Sequence, residues 1–227
     1  MIALTSIAPK HINEDIQEIC VASWIELGID VYSFNSKEEI DILQKKFPLV
    51  NFIEVQLYNR KCKIDSLLDF ARNSSEDSFV IINSDIILYD TTNYMDKIKR
   101  VLPNEAVIVK RRDFINNVNK NKLFVDGIDA FFIHKNYLNV FPKTNFVLGE
   151  CWHDYQTPYA LIQNNIGVYM ITDKFAYHRM HNSQYSIPLW KEYAKHFAEV
   201  NGINVKNAET LSRTIYEHIV KNTKELK

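Results

Sequence analysis

The sequence predicts an α/β fold in which a mainly parallel central sheet is flanked by helices. Strand-like and helix-like segments alternate through residues 1–100 with short connections between them. The run from Phe79 to Ile82 is apolar without polar alternation, which is typical of a buried parallel strand. The chain has 227 residues, of which 46% are hydrophobic, so it can bury one sizeable core. We therefore expect a single domain spanning residues 1–227.

The first two units each join one strand to one helix. Ile2 to Ile7 is a strand-like run that ends near Pro9, and apolar residues then recur at helical spacing up to Gly28. Asp30 to Phe34 is the next strand, and Ser36 to Glu39 is a capping box that opens the next helix. Repeated units of this kind favour parallel strands.

A third unit follows, after which the pattern loosens. Val50 to Val55 is strand-like, and a helix with apolar residues between Ile64 and Ala71 leads to the strand at Phe79. The Asn- and Lys-rich stretch from Asn116 to Lys122 reads as an exposed loop, and two apolar stripes near the end of the sequence predict helices. Later strands, which we expect to form a small mixed sheet, are predicted at Glu105 to Lys110, Ile128 to Ile133 and Val168 to Thr172.

Composition excludes several classes of function. The formal net charge is -1, with 27 Lys and Arg against 28 Asp and Glu, so nothing suggests general nucleic-acid binding. The three cysteines are widely separated, which favours a reducing compartment over a zinc site or a disulfide framework. The start lacks a basic leader, and no stretch approaches the length of a membrane span. We expect a cytoplasmic protein without a transmembrane segment, with peripheral membrane contact as the alternative.

The polar triplet Asn83, Ser84 and Asp85 directly follows the apolar strand. Ligands of open α/β sheets bind at the carboxyl ends of the strands, so Asp85 is placed to hold a divalent metal ion and, through it, a diphosphate. Asn83 stands where an Asp-x-Asp pair has its first acid, and it could orient a ribose or a metal-bound water. The alternative is that Asp85 only caps a turn.

Two histidines, His178 and His181, follow the predicted strand that ends at Thr172. One imidazole could reach the cation while the other, or Arg179, meets a phosphate. We prefer His178 as the metal ligand. The alternative is that both are hydrogen-bonded structural residues.

The segment from Gly149 to Tyr155 combines glycine, tryptophan and acids. Gly149 allows a ligand to approach the backbone, and Trp152 offers a platform for a sugar. Asp154 or Glu150 could take a proton from an acceptor hydroxyl as general base, and we favour Asp154 because aromatic residues surround it. The alternative is a helix N-terminus with a buried Trp152.

Strand ends in the first half supply further candidates. Thr5 and Ser6 end the first strand and Asn35 ends the second, so all three should line the same sheet edge as Asp85 and read a base or ribose. Arg60 precedes the third helix and could meet a phosphate, although a solvated basic turn is the alternative.

In their order along the chain, these segments resemble the GT-A superfamily of nucleotide-sugar glycosyltransferases. The resemblance covers nearly the whole chain and depends on the order of the segments more than on any single motif. The segments that carry it are Leu4–Ile7, Ser33–Asn35, Ile82–Ile86, Gly127–Phe132, Gly149–Tyr155 and His178.

The resemblance implies a GT-A (Rossmann-like) domain with a nucleotide-binding half in residues 1–100, an acceptor and metal-site half in 101–185, and C-terminal helices in 186–227. It implies sugar transfer from UDP, or less often GDP, to a hydroxyl of a glycan or glycoconjugate, with Mn²⁺ or Mg²⁺ as cofactor. An inverting reaction is favoured because Asp154 could serve in-line attack.

The resemblance also implies residue roles. Asp85 and His178 are the expected metal ligands, and Asp154 is the expected base. The expected nucleotide contacts are Thr5, Ser6, Asn35, Arg60, Asn83 and Ser84. The expected sugar or acceptor contacts are Gly149, Trp152, Asp129 and His181.

Two other classes remain open from the sequence. One is a module that binds a nucleotide sugar or glycan without efficient transfer. The other is a sugar-nucleotide hydrolase or a nucleotidyltransferase. A nucleotidyltransferase typically needs a Gly- and Lys-rich phosphate loop near the first strand, whereas none of the five glycines precedes Gly28.

Overall fold

The computed structural model describes residues 1–13, 15–181, 186–204 and 207–227, with only the backbone described at Val125. Nine strands in this part of the chain form one sheet. They are β1 (Ile2–Thr5), β2 (Asp30–Asn35), β3 (Asn51–Glu54), β4 (Ser78–Ile82), β5 (Ile86–Leu88), β6 (Glu105–Phe114), β7 (Lys122–His134), β8 (Gly167–Arg179) and β9 (Thr223–Glu225).

The helices within the described residues are mostly amphipathic and cover the sheet. A 3₁₀ turn at Lys135–Val140 follows β7. The α-helices are α1 (Ile16–Glu26), α2 (Lys37–Leu43), α3 (Ile64–Asn73), α4 (Tyr94–Val101), α5 (His153–Gln163), α6 (Ile187–Val200) and α7 (Ala208–Lys221).

The strand order is β3-β2-β1-β4-β7-β6-β8-β5, with β9 paired to β8. Strands β1 to β4 pair in parallel, as do β6 with β8 and β8 with β9, whereas β7 is antiparallel to β4 and β6 and β5 is antiparallel to β8. The predicted α/β class with a mainly parallel sheet is confirmed. The mixed strands are continuous with the parallel ones and share a single sheet with them.

Apolar side chains pack on both faces of this sheet. One core lies under α3, α5, α6 and α7, and the other lies under α1, α2 and α4. The central strand β4 contributes alternately, since Phe79 and Ile81 face the first core while Val80 and Ile82 face the second. This explains its continuous apolar sequence, because both faces of the strand are buried.

Local signals set several element ends. The capping box predicted at Ser36 is present: its hydroxyl accepts from the Glu39 backbone N–H, and the Glu39 carboxylate accepts from the Ser36 N–H. Gly28 has φ +72° and ends the turn after α1, a conformation that glycine adopts without strain.

The strands β6, β7 and β8 are longer than the sequence predicts. β6 continues beyond Lys110 to Phe114, and β8 continues beyond Thr172 to Arg179. Register shifts occur in β6 near Val109 and Lys110, and such bulges let a strand continue after its apolar pattern has broken. These extensions carry charged residues to the functional edge of the sheet. No helix in the described ranges is long and apolar enough to cross a membrane.

Candidate functional site

The turn between β4 and β5 holds the predicted triplet at the carboxyl end of β4. The Ile86 N–H donates to the Asn83 carbonyl at 3.2 Å, which closes the turn. Ser84 Oγ lies 2.7 Å from the side-chain amide of Gln17 on α1, so the Ser84 side chain contacts the first helix. Asp85 is partly buried at the tip of this turn.

Three imidazoles surround the Asp85 carboxylate. The Nε2 atoms of His178 and His181 lie 3.4 Å and 3.3 Å from Asp85 Oδ2. The Nε2 atom of His11, from the segment between β1 and α1, lies 3.6 Å from the same oxygen. Segments far apart in the sequence therefore meet at one carboxylate oxygen.

The imidazoles also decide the charge state of this carboxylate. Burial alone would raise the pKa of Asp85, but its contacts with His11, His178 and His181 hold the pKa well below its ordinary range. Burial would likewise lower the pKa of His178, but hydrogen bonds to Asp113 and Asp85 raise it to about 9. Asp85 is therefore a carboxylate at neutral pH.

A closed ring of polar contacts connects Asp85 back to its own turn. His178 Nδ1 lies 3.1 Å from Asp113 Oδ1, which also accepts from Arg111 Nε at 2.9 Å. Arg111 Nη1 donates to both oxygens of Asp129 at 3.2 Å. The ring closes at Asn83, whose Nδ2 donates to Asp129 Oδ1 at 2.8 Å.

The ring extends across adjacent strands. Arg111 and Asp113 are two residues apart on β6, Asp129 lies on β7, and Asp113 is the direct register partner of His178 on β8. Because strands hold their side chains at fixed spacings, these contacts fix His178 and the Asn83 turn relative to one another.

Two buried oxygens near the strand ends have no hydrogen-bond partner among the described residues. They are Asn83 Oδ1 and Thr5 Oγ1. Most buried polar atoms are paired, so an unpaired acceptor beside a cluster of ionisable groups points to a missing ligand or water. Asn83 and Thr5 therefore keep free hydrogen-bonding capacity at the predicted nucleotide edge.

The other residues at this edge use their side chains internally. Asn35 accepts from Ser33 Oγ at 2.6 Å and donates to the Ile7 carbonyl and to Glu39. Ser6 Oγ donates to the Phe34 carbonyl at 2.8 Å. The predicted positions of Ser6 and Asn35 at the strand ends are correct, and their side chains hold the loop after β1 against β2.

Asp154 lies in the first turn of α5. Burial, followed by the charge of Asp129, raises the pKa of Asp154 to about 7. Its Oδ1 accepts a local hydrogen bond from the Tyr155 N–H at 3.1 Å. Asp129 thus belongs to the polar ring and also acts on this second carboxyl.

The segment before α5 has an unusual backbone. Gly149 is exposed with φ +77°, and Trp152 has φ +75°, which is a strained conformation for a tryptophan. The Trp152 ring is 1% exposed, packs against Trp190 and Phe197, and donates to the Trp190 carbonyl. A buried ring has no free face, so the predicted sugar platform at Trp152 is wrong and the helix N-terminus is the correct interpretation.

Arg60 lies in a tight turn between β3 and α3. Both Asn59 and Arg60 have positive φ, and Tyr58 and Lys61 pair across the turn. Lys61 is bound to Glu150, which brings this turn beside the segment that precedes α5. The Arg60 side chain is exposed, and its contact with a phosphate stays a prediction.

The structure thus brings together Asn83, Asp85, Asp129, His178 and His181, which the sequence predicts in one site, and their individual roles stay predictions. Sequence reasoning missed His11, Arg111 and Asp113. His11 follows the first strand and would have been found by applying the strand-end rule to its loop. Arg111 and Asp113 lie beyond the predicted end of their strand, in a run of four consecutive charged residues that interrupts the apolar pattern.

One set of side chains has the composition of a metal site. The ligating atoms of His11, Asp85 and His181 lie within 4.8 Å of one another, and this is the one such group of three in the described part of the chain. Two imidazoles and one carboxylate can hold a divalent transition metal ion. The residues present therefore fit the cation that the resemblance implies.

Solved structures with this architecture include one with bound UDP-GlcNAc and one with bound UDP. The chain aligns with S. aureus TarS residues 1–349 in complex with UDP-GlcNAc at a TM-score of 0.59, with 11% identity over 97% of this chain and 71% of that one. TarS with UDP aligns at 0.58 with 9% identity, covering 96% and 70%. A proposed nucleotide-diphospho-sugar transferase of Desulfovibrio desulfuricans G20 aligns at 0.51 with 14% identity, covering 100% and 98%.

No protein family model matches the chain, and no curated protein matches its sequence. The structural likenesses define the fold: the chain has a GT-A-like fold, as the order of its segments predicted. At these identities the likeness concerns architecture, and the chemistry depends on the side chains of this chain.

Proposed function

We propose that this protein is a metal-dependent glycosyltransferase that moves a sugar, most simply a hexose, from a UDP-sugar to a hydroxyl of a glycan or glycoconjugate. The observation that carries the proposal is the cluster at Asp85, where a charged carboxylate and three imidazoles meet at the carboxyl edge of a GT-A-like sheet. The TarS structures that share the fold contain UDP-GlcNAc or UDP, which supports this donor class.

The donor would bind along the ends of β1, β2 and β4. Thr5 and Asn83 offer the unpaired oxygens for ribose or base, while Ser6, Asn35 and Ser84 shape the edge. Arg60 is an exposed cation at the rim that can meet a phosphate.

Asp85 is the proposed anchor for a divalent cation. The sequence predicts His178 as a further ligand, but His178 also contacts Asp113, and the group of side chains that fits an ion consists of His11, Asp85 and His181. When bound, such a cation neutralises charge on the departing diphosphate. Asp113 and Arg111 keep His178 directed at Asp85, so the cluster is held in place without a ligand.

Asp154 is the proposed general base. Its pKa near 7 leaves a useful fraction ionised at neutral pH and gives the carboxylate enough basicity to accept a proton. The acceptor oxygen would form a bond to the sugar anomeric carbon, its proton would pass to Asp154, and the bond to the nucleoside diphosphate would break. Attack opposite the leaving group gives inversion. Gly149 and Asp129 remain the proposed sugar or acceptor contacts, whereas His181, predicted in the same role, belongs to the group around Asp85.

The alternative is a module that binds a nucleotide sugar without transferring it. A thermal-shift screen of nucleotides and nucleotide sugars, with and without Mn²⁺, separates the classes, and donor turnover with a hydroxyl acceptor then separates enzyme from binder. We expect UDP-sugars with metal to give the largest stabilisation. Stabilisation by no nucleotide under any ion would reject the proposed function.

A further inference from the structure

Histidine supplies an unusual share of the ligand atoms around Asp85. Mg²⁺ prefers oxygen ligands and keeps much of its water, whereas imidazole suits zinc and neighbouring transition metals. The set formed by His11, Asp85 and His181 offers two nitrogens and one carboxylate. Its donor chemistry therefore differs from that of a site built from carboxylates alone.

The distances in the cluster are long for hydrogen bonds and also fit ligands that share one metal ion. A nitrogen–oxygen hydrogen bond is typically about 2.9 Å long. The His11 and His181 nitrogens lie 3.6 Å and 3.3 Å from Asp85 Oδ2. Two ligands that are each about 2.1 Å from a tetrahedral ion are about 3.4 Å apart. Each imidazole nitrogen is therefore separated from Asp85 Oδ2 by about the distance between two ligands of one ion, and all three ligating atoms lie within 4.8 Å of one another.

Direct contacts hold the two histidine-bearing segments together. Arg179 Nη1 donates to Asp15 at 2.7 Å, and Asn13 Nδ2 donates to the Arg179 carbonyl at 3.4 Å. These contacts join the segment of His11 to that of His181 without a nucleotide. His11 Nδ1 lies 3.2 Å from the Asn13 carbonyl and 3.1 Å from the Asn13 backbone nitrogen, so Asn13 holds the ring with Nε2 directed at Asp85.

We propose that His11, Asp85 and His181 form a transition-metal site that binds its ion before any nucleotide and prefers Zn²⁺ or Co²⁺ to Mn²⁺, and Mn²⁺ to Mg²⁺. Three protein ligands leave a coordination position open for a diphosphate oxygen. The role of the ion in this inference rests on the proposed function. The ligands and the metal selectivity can be tested without any reaction.

The test is metal binding by the full chain in the absence of nucleotide. After removal of metal with a chelator, we expect one equivalent of Zn²⁺ or Co²⁺ per chain by elemental analysis, and visible Co²⁺ absorption typical of nitrogen and oxygen ligands. Competition with a chromophoric chelator should give the order Zn²⁺, Co²⁺, Mn²⁺, Mg²⁺, with at least about 100-fold between the ends.

Single variants locate the site. His11→Ala and His181→Ala should each weaken Zn²⁺ binding by at least about 10-fold. His218→Ala, on α7 away from the cluster, and Cys151→Ser, which removes a partly exposed thiol, should leave the affinity unchanged. Melting curves of all four variants show whether each is folded. If His11→Ala does not fold, His11→Gln takes its place.

Three results would overturn the inference: less than one equivalent of Zn²⁺ without nucleotide, no preference over Mg²⁺, or unchanged Zn²⁺ affinity in both folded histidine variants. UDP-sugar binding that is equally strong with Mg²⁺ in wild-type and His11→Ala protein would also reject it while leaving the proposed function intact. Zn²⁺ binding as expected, with no nucleotide-sugar binding under any ion, would reject the proposed function alone.

Discussion

Asp85 and Asp154 are carboxyl groups of the same kind held in opposite environments. Burial would raise the pKa of both, but three imidazoles hold that of Asp85 well below its ordinary range, whereas the negative charge of Asp129 assists burial in raising that of Asp154 to about 7. The difference separates two tasks: a permanently charged group can hold a cation, and a group that titrates near neutrality can exchange a proton.

The largest expected effect comes from removing the group that titrates near neutrality, Asp154. Asp154→Asn should lower the rate of transfer by about 100- to 10,000-fold, because the amide cannot accept the acceptor proton. Donor affinity, measured by calorimetry, should stay within a factor of about 2. Glu150→Gln is the matched control, since Glu150 is paired with Lys61 and should matter much less. Normal turnover in Asp154→Asn would exclude this residue as the base.

Asp85→Ala should act on binding instead. Without the carboxylate at the centre of the cluster, metal-dependent affinity for a UDP-sugar should fall on the order of 100-fold. Any affinity that needs no metal should persist, and calorimetry with and without Mn²⁺ measures both. A folded Asp85→Ala protein whose metal-dependent donor affinity matches the wild type would remove Asp85 from the metal site.

The pH profile sharpens the comparison. Because the base must be ionised, kcat/KM should rise with pH through about 7 and then level off. Asp129→Asn removes the charge that raises the Asp154 pKa, so the rising limb should move to lower pH. A limb that stays in place would show that Asp129 does not act on the titrating group.

The smallest expected effect is on stability. The native state keeps the Asp154 proton up to about pH 7, while the unfolded chain loses it near pH 4, so this residue makes stability fall as pH rises between those values. The free energy of unfolding of Asp154→Asn, measured with urea, should therefore rise relative to that of the wild type by on the order of 2 kcal/mol between pH 5 and pH 8.

Asp69→Asn is the opposite case and serves as the control. Lys143 lowers the pKa of Asp69, so this carboxylate stabilises the fold at neutral pH and its loss should destabilise the protein there. If Asp154→Asn is less stable than the wild type at pH 8, as we expect for Asp69→Asn, the pKa of Asp154 is not raised.

The parallel half of the fold and the position of Asp85 could be predicted because burial on both faces leaves an uninterrupted apolar strand. Asp85, His178 and His181 were expected near a site for the same reason: each follows a strand pattern. His11 was missed because it lies in the loop after the first strand and not at the strand end itself. Asp113, which contacts His178, was missed because bulges carry β6 past Lys110. Trp152 was misread because a strained backbone turns an apparently exposed ring into the core.

The polar ring around Asp85 also has a consequence for the order in which the protein is made. Its members come from β6, β7, β8 and the turn after β4, and the cluster draws on both His11 and His181. The ribosome can release all of β1 to β4 before any of these contacts exists. Until His181 has emerged and β8 has inserted between β6 and β5, Asp85 has neither His178 nor His181 beside it, so a nascent chain that already contains β1 to β4 still lacks two of the three imidazoles of the cluster.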